Sequence, residues 1–255
     1  MEVQKIKPQD QAMGQFDKGK IKEQKPIGFP REGSLINRLG PLFYWAWGHS
    51  NEPAALDFHP HKGFEIITYV IKGNAYHRDT LGTESVVAAG GAQLMQTGSG
   101  VSHAEVFKEP SEIFQIWFEP HLSQAIKRTP TYFQYNSEDF SVINKEDVTI
   151  KTILGNDSPM KIVTDAGIWD ITIPTGTVYT HSLSQKRILA ALAIRGDGAF
   201  SLDTNGITRF EHKDFVVVDS GQGGEVAIQA LDKDLRIFLI EVPSEVDYPL
   251  FRKHR

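Results

Sequence analysis

The sequence of 255 residues contains no cysteine, which excludes disulfide bonds, thiolate zinc sites, iron–sulfur clusters and cysteine nucleophiles. It has no run of about 18 apolar residues such as a membrane helix needs, and its polar start has no hydrophobic signal core. An excess of positive charge is also absent, because 27 basic residues face 32 acidic ones, whereas nucleic-acid binding needs a basic surface. These absences predict a soluble, cytoplasmic protein that binds no membrane and no nucleic acid directly. Any metal ion must be held by nitrogen and oxygen atoms.

What is present is a series of short apolar segments separated by turn residues about every 8–12 residues, which is typical of an all-β sandwich or barrel. Residues 64–71 and 113–118 are examples, rich in β-branched and aromatic side chains. Helical periodicity is scarce, and one short helix is predicted within residues 121–128. Residues 1–34, rich in Lys, Gln and Glu, are predicted to form an arm or an edge segment.

The second half of the chain repeats the first. The turn at Gly73 has a counterpart at Gly196, 123 residues later, and other matches lie at offsets of 122 and 124 residues. Unrelated hairpins with glycine turns would also look alike, but several matches at nearly one offset favour a duplication. We therefore predict two β-domains, residues 1–135 and 136–255.

Two pairs of side chains that can bind a metal stand at i, i+2 spacing. His59 and His61 form the first pair. His103 and Glu105 form the second, and glycines flank both pairs. Alternate residues of a strand point to the same face, so each pair can reach one ion. Imidazole together with carboxylate suits Fe(II), Mn(II), Ni(II) or Zn(II). Because Glu65 has the same parity as the first pair, parity leaves the carboxylate ligand open between Glu65 and Glu105.

Other residues near these pairs allow two interpretations. Phe58, Met95 and Phe114 either line a substrate pocket or belong to the apolar core, and the core is the more common role for such residues. His77 is interpreted as a hydrogen-bonded histidine near a turn.

Three motifs follow one another along the chain: FHPHKGFE (58–65), HRDTLG (77–82) and MQTGSGVSHAE (95–105). In this order they resemble the pirin family of two-domain cupins, and the resemblance covers about residues 39–132. The resemblance implies an all-β bicupin, with two antiparallel β-barrel domains of the jelly-roll type. Three positions depart from the usual family pattern: Lys62 and Ser99 replace arginine, and Leu94 replaces tryptophan.

The resemblance also selects the ligands. It implies that iron, as Fe(II), is bound by four side chains and that Glu65 supports a ligand or the structure; Mn, Ni and Zn are the alternative metals. The implied ligands are His59, His61, His103 and Glu105.

The second domain keeps few of these ligands. At an offset of 122 residues, His59 corresponds to His181, but Leu183 and Glu225 stand where two further ligand histidines would be. At most one imidazole remains there, so the domain of residues 136–255 is predicted to bind no metal.

Two functions follow from the resemblance. One is a dioxygenase of the quercetin 2,3-dioxygenase type, with a small aromatic substrate and dioxygen. Four protein ligands on an octahedral ion leave two positions open for them, and Glu105 would also accept the proton of the substrate hydroxyl. The other is a non-enzymatic, metal- or redox-responsive regulator that binds a protein partner, since eukaryotic pirins act as cofactors of transcription factors. The sequence leaves this choice open.

Overall fold

The computed structural model describes residues 1–202 and 205–251, and only the backbone of residue 205. This part of the chain is almost entirely β-structure. The strands before residue 136 are β1 (Glu2–Ile6), β2 (Ala12–Phe16), β3 (Ile21–Ile27), β4 (Leu42–Ser50), β5 (Ala54–His61), β6 (Glu65–Lys72), β7 (Asn74–Asp79), β8 (Glu84–Ala88), β9 (Ala92–Gln96), β10 (Val101–Phe107), β11 (Ser111–Phe118) and β12 (Thr131–Tyr135). The later strands are β13 (Ser141–Lys145), β14 (Val148–Leu154), β15 (Gly167–Ile173), β16 (Val178–Leu183), β17 (Arg187–Arg195), β18 (Gly198–Leu202), β19 (Asn205–Phe210), β20 (Phe215–Asp219), β21 (Gly224–Ala230) and β22 (Leu235–Pro243).

Helical structure is limited to short segments. Helix α1 (Leu122–Ala125) lies within the predicted segment 121–128. Single 3-10 turns occur at Pro8–Asp10, Asp17–Gly19, Pro30–Glu32 and Ser137–Asp139. Within the described residues, no helix has the length and apolarity to cross a bilayer.

The chain divides into two compact units. Among the described residues, the first unit comprises 11–139, 162–164 and 247–251. The second unit comprises 1–10, 140–161 and 165–246.

Both units have the same topology. The first unit contains a seven-stranded sheet in the order β12-β9-β6-β11-β4-β3-β2 and a four-stranded sheet in the order β5-β10-β7-β8. The second contains sheets in the orders β1-β20-β17-β22-β15-β14-β13 and β16-β21-β18-β19. The prediction of an all-β fold with two antiparallel jelly-roll domains is confirmed, and each domain consists of two sheets rather than one closed barrel.

Strand β1 completes the second unit. It pairs antiparallel with β20, from Glu2 opposite Asp219 to Ile6 opposite Phe215. At the end of its sheet β1 takes the place that β12 takes in the first unit. The structure differs here from the predicted division at residue 135, because residues 1–10 lie with the later unit. Residues 1–34, predicted to form an arm or an edge segment, contain two edge strands, β1 and β2, and also β3, which lies inside its sheet.

The cores follow the alternation of side chains along the strands. In the first unit, β11 packs Phe114 against Trp45 and Trp47, with ring centroids 5.5 and 6.0 Å apart. Its residues Gln115 and Trp117 have the opposite parity and line a cavity. The second unit has an apolar core of Ile, Leu, Val, Ala and Phe side chains from both of its sheets. Strand β11 therefore separates the core of the first unit from the site described next.

Candidate metal centre

Three histidines meet on one face of the four-stranded sheet of the first unit. His59 and His61 alternate along β5, and His103 on β10 lies directly opposite His59. One ring nitrogen from each of the three lies within 4.8 Å of the other two. The ring centroids of His59 and His103 are 4.4 Å apart. The i, i+2 spacing and the cross-strand register together form this histidine cluster.

The electrostatics of the histidine cluster suit a cation. Burial, and then the charge of His59, lowers the pKa of His61 to about 4. Burial and the neighbouring histidines lower the pKa of His103 to about 2. Both imidazoles are therefore neutral at pH 7 and can donate a lone pair. The buried Nε2 of His61 has no hydrogen-bond partner among the described residues. Neutral imidazoles with an unpaired nitrogen fit a divalent metal ion.

Glu105, the predicted fourth ligand, lines the same cavity but lies outside the three-residue cluster. A β-bulge interrupts the pairing of β10 with β5 between His103 and Glu105. The carboxylate accepts a hydrogen bond from Gln115 Nε2 at 2.6 Å. Burial, and then the charge of Glu23, raises the pKa of Glu105 to about 7, although hydrogen bonds from Gln115 and Thr68 oppose the rise. Ligation by Glu105 stays a prediction.

His77 joins the histidine cluster to an acidic residue. Its Nδ1 lies 3.4 Å from His103 Nδ1, and its Nε2 lies 3.0 Å from Asp79 Oδ2. Asp79 in turn accepts hydrogen bonds from the backbone N–H groups of Leu81 and Thr83. The interpretation of His77 as a hydrogen-bonded histidine near a turn is correct, but its partner is a member of the cluster. Such a contact orients the imidazole that binds a metal.

A cavity of about 520 Å³ opens in front of the histidine cluster. One side of the cavity is aromatic. The centroid of the Trp117 ring lies 4.9 Å from that of His61 and 4.5 Å from that of Tyr44. Phe16 and Phe29 extend this side. The volume is within the range of pockets that enclose a small organic ligand.

A charged group forms another part of the cavity wall. Lys25 Nζ lies 2.6 Å from Glu32 Oε1 and 3.4 Å from Glu23 Oε2. Tyr44 donates a hydrogen bond to Glu23 Oε2 at 3.3 Å. We call Glu23, Lys25 and Glu32 the acidic wall. No sequence pattern indicates these three residues, because a segment so rich in Lys, Gln and Glu is not typical of a strand that lines a cavity.

The predicted apolar pocket residues do not line this cavity. The Phe58 side chain is exposed, Met95 is buried in an apolar cluster, and Phe114 packs in the tryptophan-rich core. Phe58 and Phe114 point away from the cavity, because each is next in sequence to a residue that lines it, His59 and Gln115 respectively, and successive side chains of a strand face opposite sides. The core interpretation is correct for Met95 and Phe114, and the pocket interpretation is wrong for all three.

Glu65 is bound elsewhere in the first unit. Its Oε1 accepts hydrogen bonds from Gln96 Nε2 at 2.8 Å and from the Val163 backbone N–H at 2.7 Å. Its Oε2 accepts from the backbone N–H and the hydroxyl of Thr164, at 3.0 and 2.7 Å. Glu65 is 2% exposed. These bonds anchor residues 162–164, so the contacts of Glu65 follow the structural alternative of the prediction rather than the support of a ligand imidazole.

The second unit uses His181 differently. Its Nε2 lies 2.8 Å from Glu241 Oε2. The register of β16 and β21 places buried Val226 opposite His181, whereas Glu225, the predicted counterpart of His103, is exposed. The residue of β21 that corresponds to His103 is therefore Val226, one position after the residue that the sequence offset of 122 predicts. An apolar side chain stands where the first unit has its third histidine.

Known proteins are similar in sequence to the part of the chain that contains this site. The family described as Pirin matches residues 39–118, which include β5 and β10. A pirin-like protein of Caulobacter vibrioides is 32% identical over 187 residues, which are 71% of this chain and 78% of that protein. Another from the same organism is 29% identical over 157 residues, or 57% of this chain and 56% of the relative. A protein of Escherichia coli named quercetin 2,3-dioxygenase is 24% identical over 188 residues, or 72% of this chain and 75% of that one.

The fold has counterparts among solved structures. The bacterial pirin YhhW of Escherichia coli, crystallised in complex with nickel(II), superposes with a TM-score of 0.78. The superposition covers 95% of this chain and 99% of that one at 21% identity, so the likeness concerns the fold. The relative that is 32% identical covers most of both chains, and the family match spans the strands that carry the histidine cluster. On these grounds the chain belongs to the pirin family.

Proposed function

We propose that the protein is an iron-dependent dioxygenase that acts on flavonol-like aromatic substrates. The observation that carries the proposal is a cluster of three histidines that faces a cavity of about 520 Å³ with an aromatic side. The relative named quercetin 2,3-dioxygenase supports this choice of reaction. The cavity offers both parts that the reaction needs, a place for a metal ion and a surface for an aromatic ring.

Three histidines would hold the metal ion, and Glu105 would be the fourth ligand. A divalent ion bound there supplies Lewis acidity and open positions for a hydroxy-ketone and for dioxygen. His77, through His103, fixes the orientation of one ligand. The donor set of nitrogen and oxygen atoms is compatible with Fe(II) and also with Mn(II), Ni(II) or Zn(II).

Glu105 would also act as the base that accepts the proton of the substrate hydroxyl. One residue can fill both roles, because a carboxylate bound to a metal can shift off the ion as it gains a proton. Gln115 holds the carboxylate by a hydrogen bond and is itself bonded by Trp117 Nε1 at 3.3 Å. The aromatic surface of Tyr44 and Trp117 would hold the rings of the flavonol.

The test combines metal analysis with an oxygen-uptake assay. Protein loaded with Fe(II) is expected to consume dioxygen in proportion to flavonol, and His103→Ala is expected to lose both bound metal and uptake. Glu105→Gln keeps the side-chain volume but loses basicity, so turnover should collapse while some metal remains. Glu84→Gln, an exposed acid outside the cavity, is the control. Full metal occupancy without oxygen uptake would contradict the proposal and favour the regulator.

A further inference from the structure

We infer that the cavity selects aromatic substrates by charge: it accepts neutral or cationic hydroxylated aromatics and rejects those that carry a carboxylate. The inference rests on the proposed function, because it takes this cavity as the substrate site. It concerns the part of the substrate that points away from the metal, and the residues that would set the selectivity are those of the acidic wall.

The cavity has a surplus of negative side chains. Besides Glu105, four carboxyl groups line it, and among the described residues Lys25 is the one lysine or arginine that does so. The four are Asp17, Glu23, Glu32 and Asp57.

Lys25 is not free to bind an anionic substrate. Its side chain is 4% exposed, and its ammonium already contacts the carboxylates of Glu32 and Glu23. A substrate carboxylate would have to displace or approach these two fixed acids. The hydroxyl of Tyr44 is likewise directed to Glu23. The acidic wall therefore offers a new ligand mainly hydrogen-bond acceptors, which suit hydroxyl and ammonium donors.

Aromatic contacts connect the acidic wall to the histidine cluster. Tyr44, which is bonded to Glu23, packs against Trp117, and Trp117 contacts His61. A ring bound at the cluster and placed along Trp117 and Tyr44 would direct its far substituent to Glu23. Because the wall is largely buried, its charges act there with less screening than they would in water.

The experiment measures, by titration calorimetry in the absence of oxygen, how tightly each of three catechols binds to the Ni(II)-loaded protein. The catechols share the diol and differ at position 4, which carries a methyl, a carboxylate or an aminoethyl group. We expect the carboxylate compound to bind at least tenfold more weakly than the methyl compound. The aminoethyl compound should bind as tightly as the methyl compound or more tightly. Added salt should narrow the differences, because it screens charges.

Variants locate the selectivity. Glu32→Gln leaves Lys25 with one acid and should reduce the tenfold discrimination to less than threefold. Should this change at a half-buried side chain prevent folding, Asp57→Asn at an exposed position of the cavity wall provides a milder test, with an expected two- to threefold reduction. Glu84→Gln, on the exterior of the four-stranded sheet, removes the same charge outside the cavity and should leave the discrimination unchanged.

The possible failures are distinct. Equal or tighter binding of the carboxylate compound would overturn the charge selection and leave the proposed function intact. If none of the three catechols bound to the metal-loaded protein, the charge selection and the proposed function would both be overturned.

Discussion

Glu105 combines deep burial with a titration near neutral pH. Its pKa rises from 4.5 to about 7 because burial penalises the charged form. The folded metal-free protein thus holds this proton more tightly than the unfolded chain does. The resulting stabilisation is complete below about pH 4.5 and is lost as the pH rises through about 7.

We therefore expect wild type, relative to Glu105→Gln, to lose on the order of 3 kcal/mol of unfolding free energy between pH 4.5 and pH 8. The comparison with the variant removes the opposite contributions of His61 and His103, which both proteins share. Urea unfolding of the metal-free proteins across this pH range measures the difference. A difference that does not change with pH would show that Glu105 does not titrate as described.

His77 offers a second prediction for a single side chain. His77→Gln removes the imidazole between His103 and Asp79, and Asp79→Asn removes the charge behind it. Either change should lower metal affinity by roughly 10–100-fold, as is typical when the partner of a ligand is lost. Competition with a chelator for Zn(II) measures the affinity. His121→Gln, a change outside the cluster, should have no effect, and affinities within twofold of wild type for both test variants would refute the role of His77.

At the level of strands, the sequence predicted spacing well and register poorly. The alternation along β5 places His59 with His61 as expected, and His103 and Glu105 of β10 both line the cavity, although Glu105 lies outside the histidine cluster. The pairing of His103 with His59 and the bulge before Glu105 depend on contacts between strands, which no local pattern encodes. The sequence also left the carboxylate ligand open, because parity allowed both Glu65 and Glu105, and the family resemblance then selected Glu105.

The sequence also did not predict that β3 lines the cavity, and the reason is a different one. Its residues IKEQKPI read as a polar segment, yet six of the seven are buried. Lys25 is buried with two carboxylates beside it, those of Glu32 at 2.6 Å and Glu23 at 3.4 Å. A segment with this many charged residues is predicted to be exposed. The sequence does not show that these charges form ion pairs inside the cavity, so the segment is predicted to be an arm or an edge segment.

Glu65 provides the prediction that belongs to this level, because it connects β6 to residues 162–164. In Glu65→Gln the amide nitrogen replaces an acceptor, so the part-buried N–H group of Val163 or the buried N–H group of Thr164 loses its partner. We expect a loss of about 1–3 kcal/mol in unfolding free energy, with metal affinity within about threefold of wild type. Urea unfolding and chelator competition on the same variant test both parts. A tenfold loss of metal affinity would restore Glu65 as a support for the ligands.

For the whole molecule we expect about one metal ion per chain. The first unit has the histidine cluster, whereas in the second unit His181 is bonded to Glu241 and faces Val226. Elemental analysis of protein loaded with metal should therefore give one equivalent. His181→Ala should leave that value unchanged, and His103→Ala should abolish it. A value near two that His181→Ala halves would show that the second unit also binds metal.

The repeat in the sequence predicted two β-domains, and the common strand order of the two units is what such a repeat would produce. What the repeat could not reveal is the position of β1. Nothing in the segment 1–10 indicates which edge strand it will join, because antiparallel pairing with β20 depends on residues more than two hundred positions away.

This pairing affects how the chain can acquire its structure. Contacts between residues so far apart in sequence raise the contact order and are formed late, since a very long loop must close first. During synthesis β1 must remain unpaired until β20 has been made. A fragment of residues 136–255 would lack this strand and expose the edge of β20, a site for aggregation. If the chain were divided between residues 135 and 136, the second unit would therefore lack one strand, whereas the first unit would keep every strand of its two sheets.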